Sequence, residues 1–279
     1  MKPPPFDPGI CNKAFRERVS AVYGDRYGPT AGLDERQLFY LQLVSDVSCL
    51  LKGKHLVDLG PGLSAFGAVA AALGIQVTLI DDYGGGGAVD VSRRDITERF
   101  ITEFRERLGG RVEEMDFVAR PLPLETASVD VITCFHSLEH WHHSPKPLFR
   151  EIVRVLKPGG YFIIATPNAA NIRKRVFVPF GHNIWSPLAE WYHDGDPVFR
   201  GHVREPIVSD LHQLLEWNKM AHMKTYGRNF IGRDSQALAF LPKPLVRAVA
   251  IGTDYILRFF PTLCSDIHVV GRKPERIES

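Results

Sequence analysis

Three groups of side chains stand at spacings that can do chemistry. The stretch "HLVDLGPGLSAFG", residues 55–67, carries Asp58 two residues ahead of Gly60, then Gly62, Ser64 and Ala65. Glycines and small residues let a backbone approach a ligand closely, and a helix opening after such a turn supplies free N–H groups. Asp81 and Asp82 close "QVTLIDD" about twenty residues after Gly60, where a carboxylate accepts two hydrogen bonds from a ribose diol. Asp81 is the first choice for that contact and Asp82 the second. The third group is "FHSLEHWHH", which gathers Phe135, His136, Leu138, Glu139, His140, His142 and His143. Histidine changes protonation near neutral pH, so His136 and His140 are the candidate catalytic bases. A ring bonded to a backbone carbonyl, shaping the loop, is the competing role for His140.

The glycines satisfy a relaxed dinucleotide fingerprint, G-x-G-x-x-A. Asp58 argues against a dinucleotide, because a carboxylate at the strand tip opposes a pyrophosphate and suits a positively charged amine. S-adenosylmethionine carries an ammonium and a sulfonium, and the D-x-G-x-G order fits it better than NAD. The spacing H-x-x-x-H-x-H-H has no accompanying Asp pair, so no metal ligand is assigned.

These residues need elements to hold them. From residue 54 onward the pattern alternates strand with helix: "HLVDLG", "SAFGAVAAALG" closed by Gly74, "QVTLID", the charged helix "ITERFITEFRERLG", a strand near "EMDFVA" that contains Asp116, then "SVDVITCF", "KPLFREIVRVL" stopped by "KPGG", and "YFIIATP". Such alternation implies right-handed βαβ units and a mostly parallel sheet covered on both faces. The fold class is therefore α/β, Rossmann-like. Upstream, Leu38, Leu41, Val44 and Val47 have helical spacing. Residues 168–205 show no clear period and read as a long ordered loop, followed by a helix "SDLHQLLEW" capped by its Ser or Asp. Strands "MKTYGRNF" and "SDIHVVGRK" flank a helical insertion. The expected organisation is a tail and helical cap over 1–53, a cofactor-binding core over 54–168, a lid over 169–206, and the rest of the core over 207–279 with its insertion at 235–260.

"VDLGPG", "LIDD", "LPLETASVDVITCFHSLEH" and "LFREIVRVLKPGGYFIIATPN" occur in that order. Together they resemble the class I S-adenosylmethionine-dependent methyltransferases, particularly the group of quinone-biosynthesis and small-molecule or sugar O-methyltransferases. The likeness covers roughly 54–168 and implies a seven-stranded sheet and S-adenosyl-L-methionine as cofactor. It implies that Asp58, Gly60 and Gly62 hold the methionine end, that Asp81 or Asp82 holds the ribose, and that Phe135, His136 and Leu138 wall the transferring methyl. The chain departs from the family at Ser64, where a third glycine is usual. It also departs at 118–120, where the family often places an adenine-binding acid. "GHVRE" resembles, more loosely, a stretch of polysaccharide-modifying methyltransferases, which points to a carbohydrate or small-metabolite hydroxyl.

The lid aromatics His182, Trp185, Trp191, Tyr192, His193 and His202 either stack on an acceptor ring or cap the chain's own core. In "LVRAVAIGTDYILRFF", Arg247, Asp254 and Arg258 share a helical face that packs on the domain or a second subunit, or lies at a membrane surface. The 279 residues have a net charge of +2, and 44% are hydrophobic. That balance, without a basic stripe interleaved with aromatics, argues against a nucleic-acid partner. Four scattered cysteines and no apolar leader or spanning run fit a cytoplasmic protein. The rival functions are an NAD(P)-dependent oxidoreductase, which Asp58 disfavours, an N- or C-methyltransferase, and a methyltransferase-like domain kept for binding or assembly.

Overall fold

The computed structural model describes residues 43, 44, 46, 47, 49–51, 54–84, 94–185, 187–192, 199–229 and 242–275. Its centre is a seven-stranded sheet. The strands are β1 (His55–Leu59), β2 (Gln76–Asp81), β3 (Arg111–Glu114), β4 (Val129–Phe135), β5 (Leu156–Pro167), β6 (Ala221–Arg228) and β7 (Asp266–Arg272). They lie in the order β3-β2-β1-β4-β5-β7-β6. Strands β1 to β5 pair in parallel, and β7 runs antiparallel between β5 and β6. The strand order reverses between β1 and β4, and in such sheets the crevice at the carboxyl ends beside that switch point receives ligands.

The interior strands alternate between two cores. Leu56, Val77, Leu79, Val131 and Ile163 face one side with helix α1 (Ala65–Ala72) and helix α2 (Arg94–Leu108). Val57, Ile80, Ile132, Phe162 and Val269 face the other, with helix α3 (Lys146–Val155) and helix α6 (Val208–Trp217). Helix α1 is apolar all round because it is buried all round, and Gly67 lets it sit against Leu79, whose Cδ2 lies 2.6 Å from where a Cβ would stand. Helix α3 is amphipathic instead, burying Leu148, Phe149, Ile152 and Val155. Val44 and Val47 are buried as their spacing suggests, whereas Leu38 and Leu41 lie outside the described residues. Among the described residues no helix is long and apolar enough to cross a membrane.

Several local expectations are corrected. The third strand is Arg111–Glu114, earlier than "EMDFVA". Asp116 stands past it in a turn, accepting the N–H groups of Val118 and Ala119 at 3.1 Å, because a short Asp side chain satisfies the backbone of a turn more readily than it extends a strand. Helix α6 starts at Val208 with Ile207 as its cap residue, and Asp210 acts from inside the first turn by accepting the Ile207 N–H at 3.2 Å. Its carboxylate reaches back to the amide that no helical carbonyl can serve. The stretch 168–205 contains helix α4 (Ile172–Phe177) and helix α5 (Leu188–Tyr192), too short to show a period. "KPGG" forms a bulge: Val129 pairs with Leu156 and Val131 with Tyr161, so residues 157–160 loop out against one partner residue. The insertion near 235–260 carries helix α7 (Lys243–Leu257).

Candidate active site

The carboxyl ends of β1, β2 and β4 bring Asp58, Gly60, Gly62, Asp81, Asp82, Phe135 and His136 to one edge of the sheet. Asp58, 1% exposed, accepts the Thr133 hydroxyl at 2.7 Å across the β1–β4 pair. Burial pushes its carboxyl up to about 7, against the pull of that hydrogen bond. Asp81 accepts the Gly62 N–H at 2.7 Å and the Tyr83 N–H at 2.8 Å. Burial carries it to about 6, opposed by those two amides. Asp81 thus ties the glycine turn to the end of β2 and keeps a second lone pair on each oxygen for a ligand.

The two glycines serve different ends. Gly60 has φ +67°, and a Cβ there would stand 2.0 Å from Ser137 Oγ, so its bareness lets the turn close on the loop after β4. Gly62 has φ +52°, and a Cβ there would meet nothing within 4 Å. Open space over Gly62, whose N–H is held by the buried Asp81 carboxylate, suits a ligand that donates hydrogen bonds and carries positive charge. S-adenosylmethionine offers both, through its ribose diol and its ammonium and sulfonium groups. Asp82 turns elsewhere: it holds Arg200 of the lid at 2.9 Å and the Gly84 N–H at 2.9 Å.

Beyond β4 the backbone is strained at His136, whose φ is +52°. Its ring stands between two buried carboxylates, with Nδ1 3.7 Å from Glu139 and Nε2 3.5 Å from Asp266. Burial alone would lower its pKa, and the carboxylates, Glu139 foremost, outweigh that and raise it. Phe135, buried in the core, packs edge-on to Phe66 at 4.7 Å and to His268 at 6.0 Å. His140 belongs to a single 3-10 turn, Leu138–His140, and its Nδ1 lies 2.8 Å from the Arg200 carbonyl. Sequence reasoning missed Thr133, two residues before Phe135 on β4, and also Asp266 and Arg200, which reach the site from distant stretches. No local spacing announces them, although Asp266 does open its strand at the same edge.

Five of the six lid rings lie within the described residues, and each is exposed or partly buried. Trp185, Trp191 and Tyr192 are 54%, 61% and 74% exposed, so they do not cap the chain's own core, while His202 is partly buried near His140. His182 is exposed and lies edge-on to Phe177 at 5.4 Å, and His193 lies outside the described residues. In α7, Asp254 turns inward to Arg228 at 3.2 Å, Arg258 stacks on Tyr255 at 4.3 Å, and the side chain of Arg247 lies outside the described residues.

Residues 57–164 match the family model described as a methyltransferase domain. The chain is 38% identical over 141 residues to a probable S-adenosylmethionine-dependent methyltransferase of Mycolicibacterium smegmatis, covering 49% of this chain and 47% of that one. It is 32% identical over 118 residues to a ubiquinone biosynthesis O-methyltransferase of Xanthomonas oryzae, covering 42% and 45%. The chain thus spans about half the length of these curated relatives. The fold is that of a solved S-adenosylmethionine-dependent methyltransferase from Archaeoglobus fulgidus, with a TM-score of 0.52, 16% identity, and coverage of 86% and 95%.

Proposed function

We propose that the chain is a class I S-adenosylmethionine-dependent methyltransferase that transfers a methyl group to a hydroxyl oxygen of a small molecule or glycan precursor, a reading supported by the match of residues 57–164 to a methyltransferase domain. The observation that carries this reading is the two buried carboxylates at the ends of adjacent strands, Asp58 on β1 and Asp81 on β2, the second bonded to the open turn at Gly62. Asp58 holds the ammonium of the methionine end. Asp81 holds the ribose diol, and its bonds to Gly62 and Tyr83 fix it in place. When bound, S-adenosylmethionine supplies a methyl carbon already activated by its sulfonium.

The chain's own work is then positioning and proton handling. The acceptor lies at the end of β4 beside Phe135 and His136. Transfer of the methyl carbon to the acceptor oxygen would leave the carbon–sulfur electron pair on sulfur and free the hydroxyl proton. The hydroxyl proton passes to the His136–Asp266 pair, whose nitrogen and oxygen stand 3.5 Å apart. The exposed rings of Trp185, Trp191 and Tyr192 offer flat faces to a sugar or aromatic acceptor.

The test is transfer of a labelled methyl group from S-adenosylmethionine to a panel of sugars and hydroxylated aromatics. An ether product that disappears in a His136→Asn variant with unchanged cofactor affinity supports the reading. Label found only on nitrogen or carbon overturns the acceptor class.

A further inference from the structure

We infer that Glu139, His140 and His202 form a binding site for a borderline divalent cation of the first transition row, beside the proposed acceptor position. One donor atom from each of the three lies within 4.8 Å of the others. Two imidazoles and one carboxylate are the donor set of open catalytic sites for zinc and iron, whereas calcium and magnesium prefer oxygen alone.

Four observations make this more than a cluster. The Glu139 carboxylate is 1% exposed, and its Oε1 accepts no hydrogen bond, with the His136 ring as an ion-pair partner 3.7 Å away. Its other oxygen is held by the Thr166 hydroxyl at 3.2 Å, which fixes the carboxylate's direction. His140 Nδ1 lies 2.8 Å from the Arg200 carbonyl, and a carbonyl only accepts, so that nitrogen carries the hydrogen and Nε2 presents the lone pair. His202 is set the same way by the Glu205 carboxylate, 2.9 Å from its Nδ1. Ligating histidines characteristically donate the other ring N–H to a carbonyl or carboxylate, and here both do. Glu205 is itself held by an ion pair with Lys174.

The backbone keeps the halves together. The Glu139 carbonyl accepts the Val203 N–H at 2.7 Å, so the turn after β4 and the lid loop that brings His202 are joined between the proposed ligands. The rings of His140 and His202 meet edge-on with centroids 4.8 Å apart. Neighbouring ligands about 2.0–2.2 Å from a metal stand about 3–3.6 Å apart, so donors up to 4.8 Å from one another would close by an ångström or more on binding. Such a cation keeps open positions for oxygen ligands, and the class of ligand it takes is a hydroxyl or vicinal diol. That role in orienting the acceptor rests on the methyl-transfer reading, whereas metal binding does not.

Cobalt(II) is the probe, since its visible absorption reports nitrogen and oxygen ligation without any turnover. The full chain titrated with cobalt(II) is expected to give one bound ion and visible bands. His202→Ala and Glu139→Gln are each expected to weaken binding at least tenfold, while His212→Ala on α6 leaves it unchanged. Circular dichroism on each variant verifies that it is folded, and His202→Ala, at a partly buried loop position, carries the test if Glu139→Gln is not. Absence of bands in the wild type, or undiminished binding in folded His202→Ala, overturns the site. Calorimetry with S-adenosylmethionine on the same samples separates the two readings: lost cofactor binding in the wild type sinks methyl transfer, while the cobalt result stands by itself.

Discussion

Asp58 carries the sharpest consequence of burial at a single residue. Its carboxyl, pushed up to about 7, must be ionised to hold an ammonium, so protons compete with the cofactor below that pH. Affinity for S-adenosylmethionine is expected to fall about tenfold between pH 8 and pH 6, and Asp58→Asn should bind weakly at both, as calorimetry at the two pH values would read. Stability without cofactor runs the other way. A carboxyl whose pKa is raised on folding withholds stability above that value, so the contribution is lost as pH rises from the unfolded value near 3.8 towards 7. Asp58→Asn, which keeps an acceptor for the Thr133 hydroxyl, should therefore raise the unfolding free energy at pH 8 by a margin on the order of a few kcal/mol, as urea unfolding would read. A variant that weakens the ligand and strengthens the apo fold separates a binding carboxylate from a structural one.

At the scale of elements, the turn between β1 and α1 tests what each glycine does. Gly60→Ala combines a left-handed backbone with a Cβ driven into Ser137 and should cost roughly 2–5 kcal/mol in urea unfolding. Gly62→Ala meets open space and should cost only the backbone strain, about 1–2 kcal/mol. A second joint lies at Arg228 of β6, which binds Asp46 of the N-terminal helical residues with Nε 2.9 Å away and Asp254 of α7 with Nη1 3.2 Å away. Burial raises the Asp46 pKa, and the Arg228 hydrogen bonds oppose that rise. Arg228→Ala strands two acids and should cost about 3–5 kcal/mol, detected as loss of cooperative unfolding in the elements it joins.

At the scale of the molecule, the legible parts were the strands buried on both faces. β1, β2 and β4 read as near-continuous apolar runs, and the helices between them keep a clear period or a clear stop. β3 was misplaced because "RVEE" is short and half exposed while the neighbouring "MDFVA" is apolar, with Phe117 buried as a loop residue instead. Asp58, Gly60, Gly62 and Asp81, which the proposed reading puts on the cofactor side, can be brought together from the sequence because they sit next to the strand ends that place them. On the proposed acceptor side Phe135 and His136 follow from the end of β4 in the same way, whereas Asp266 and Arg200 arrive through the antiparallel strand and the lid, whose contacts no local spacing encodes. A ligand that binds only the folded chain stabilises all of it, and at a hundred times its dissociation constant should add about 2.7 kcal/mol, raising the melting temperature by about 5 °C. The most direct measurement is a calorimetric titration of the wild-type chain and Asp58→Asn with S-adenosylmethionine at pH 8. Micromolar one-to-one binding by the wild type, weakened at least tenfold in a well-folded Asp58→Asn, is the predicted result. A folded wild type that binds neither S-adenosylmethionine nor S-adenosylhomocysteine, or a variant that binds as well as the wild type, would contradict it.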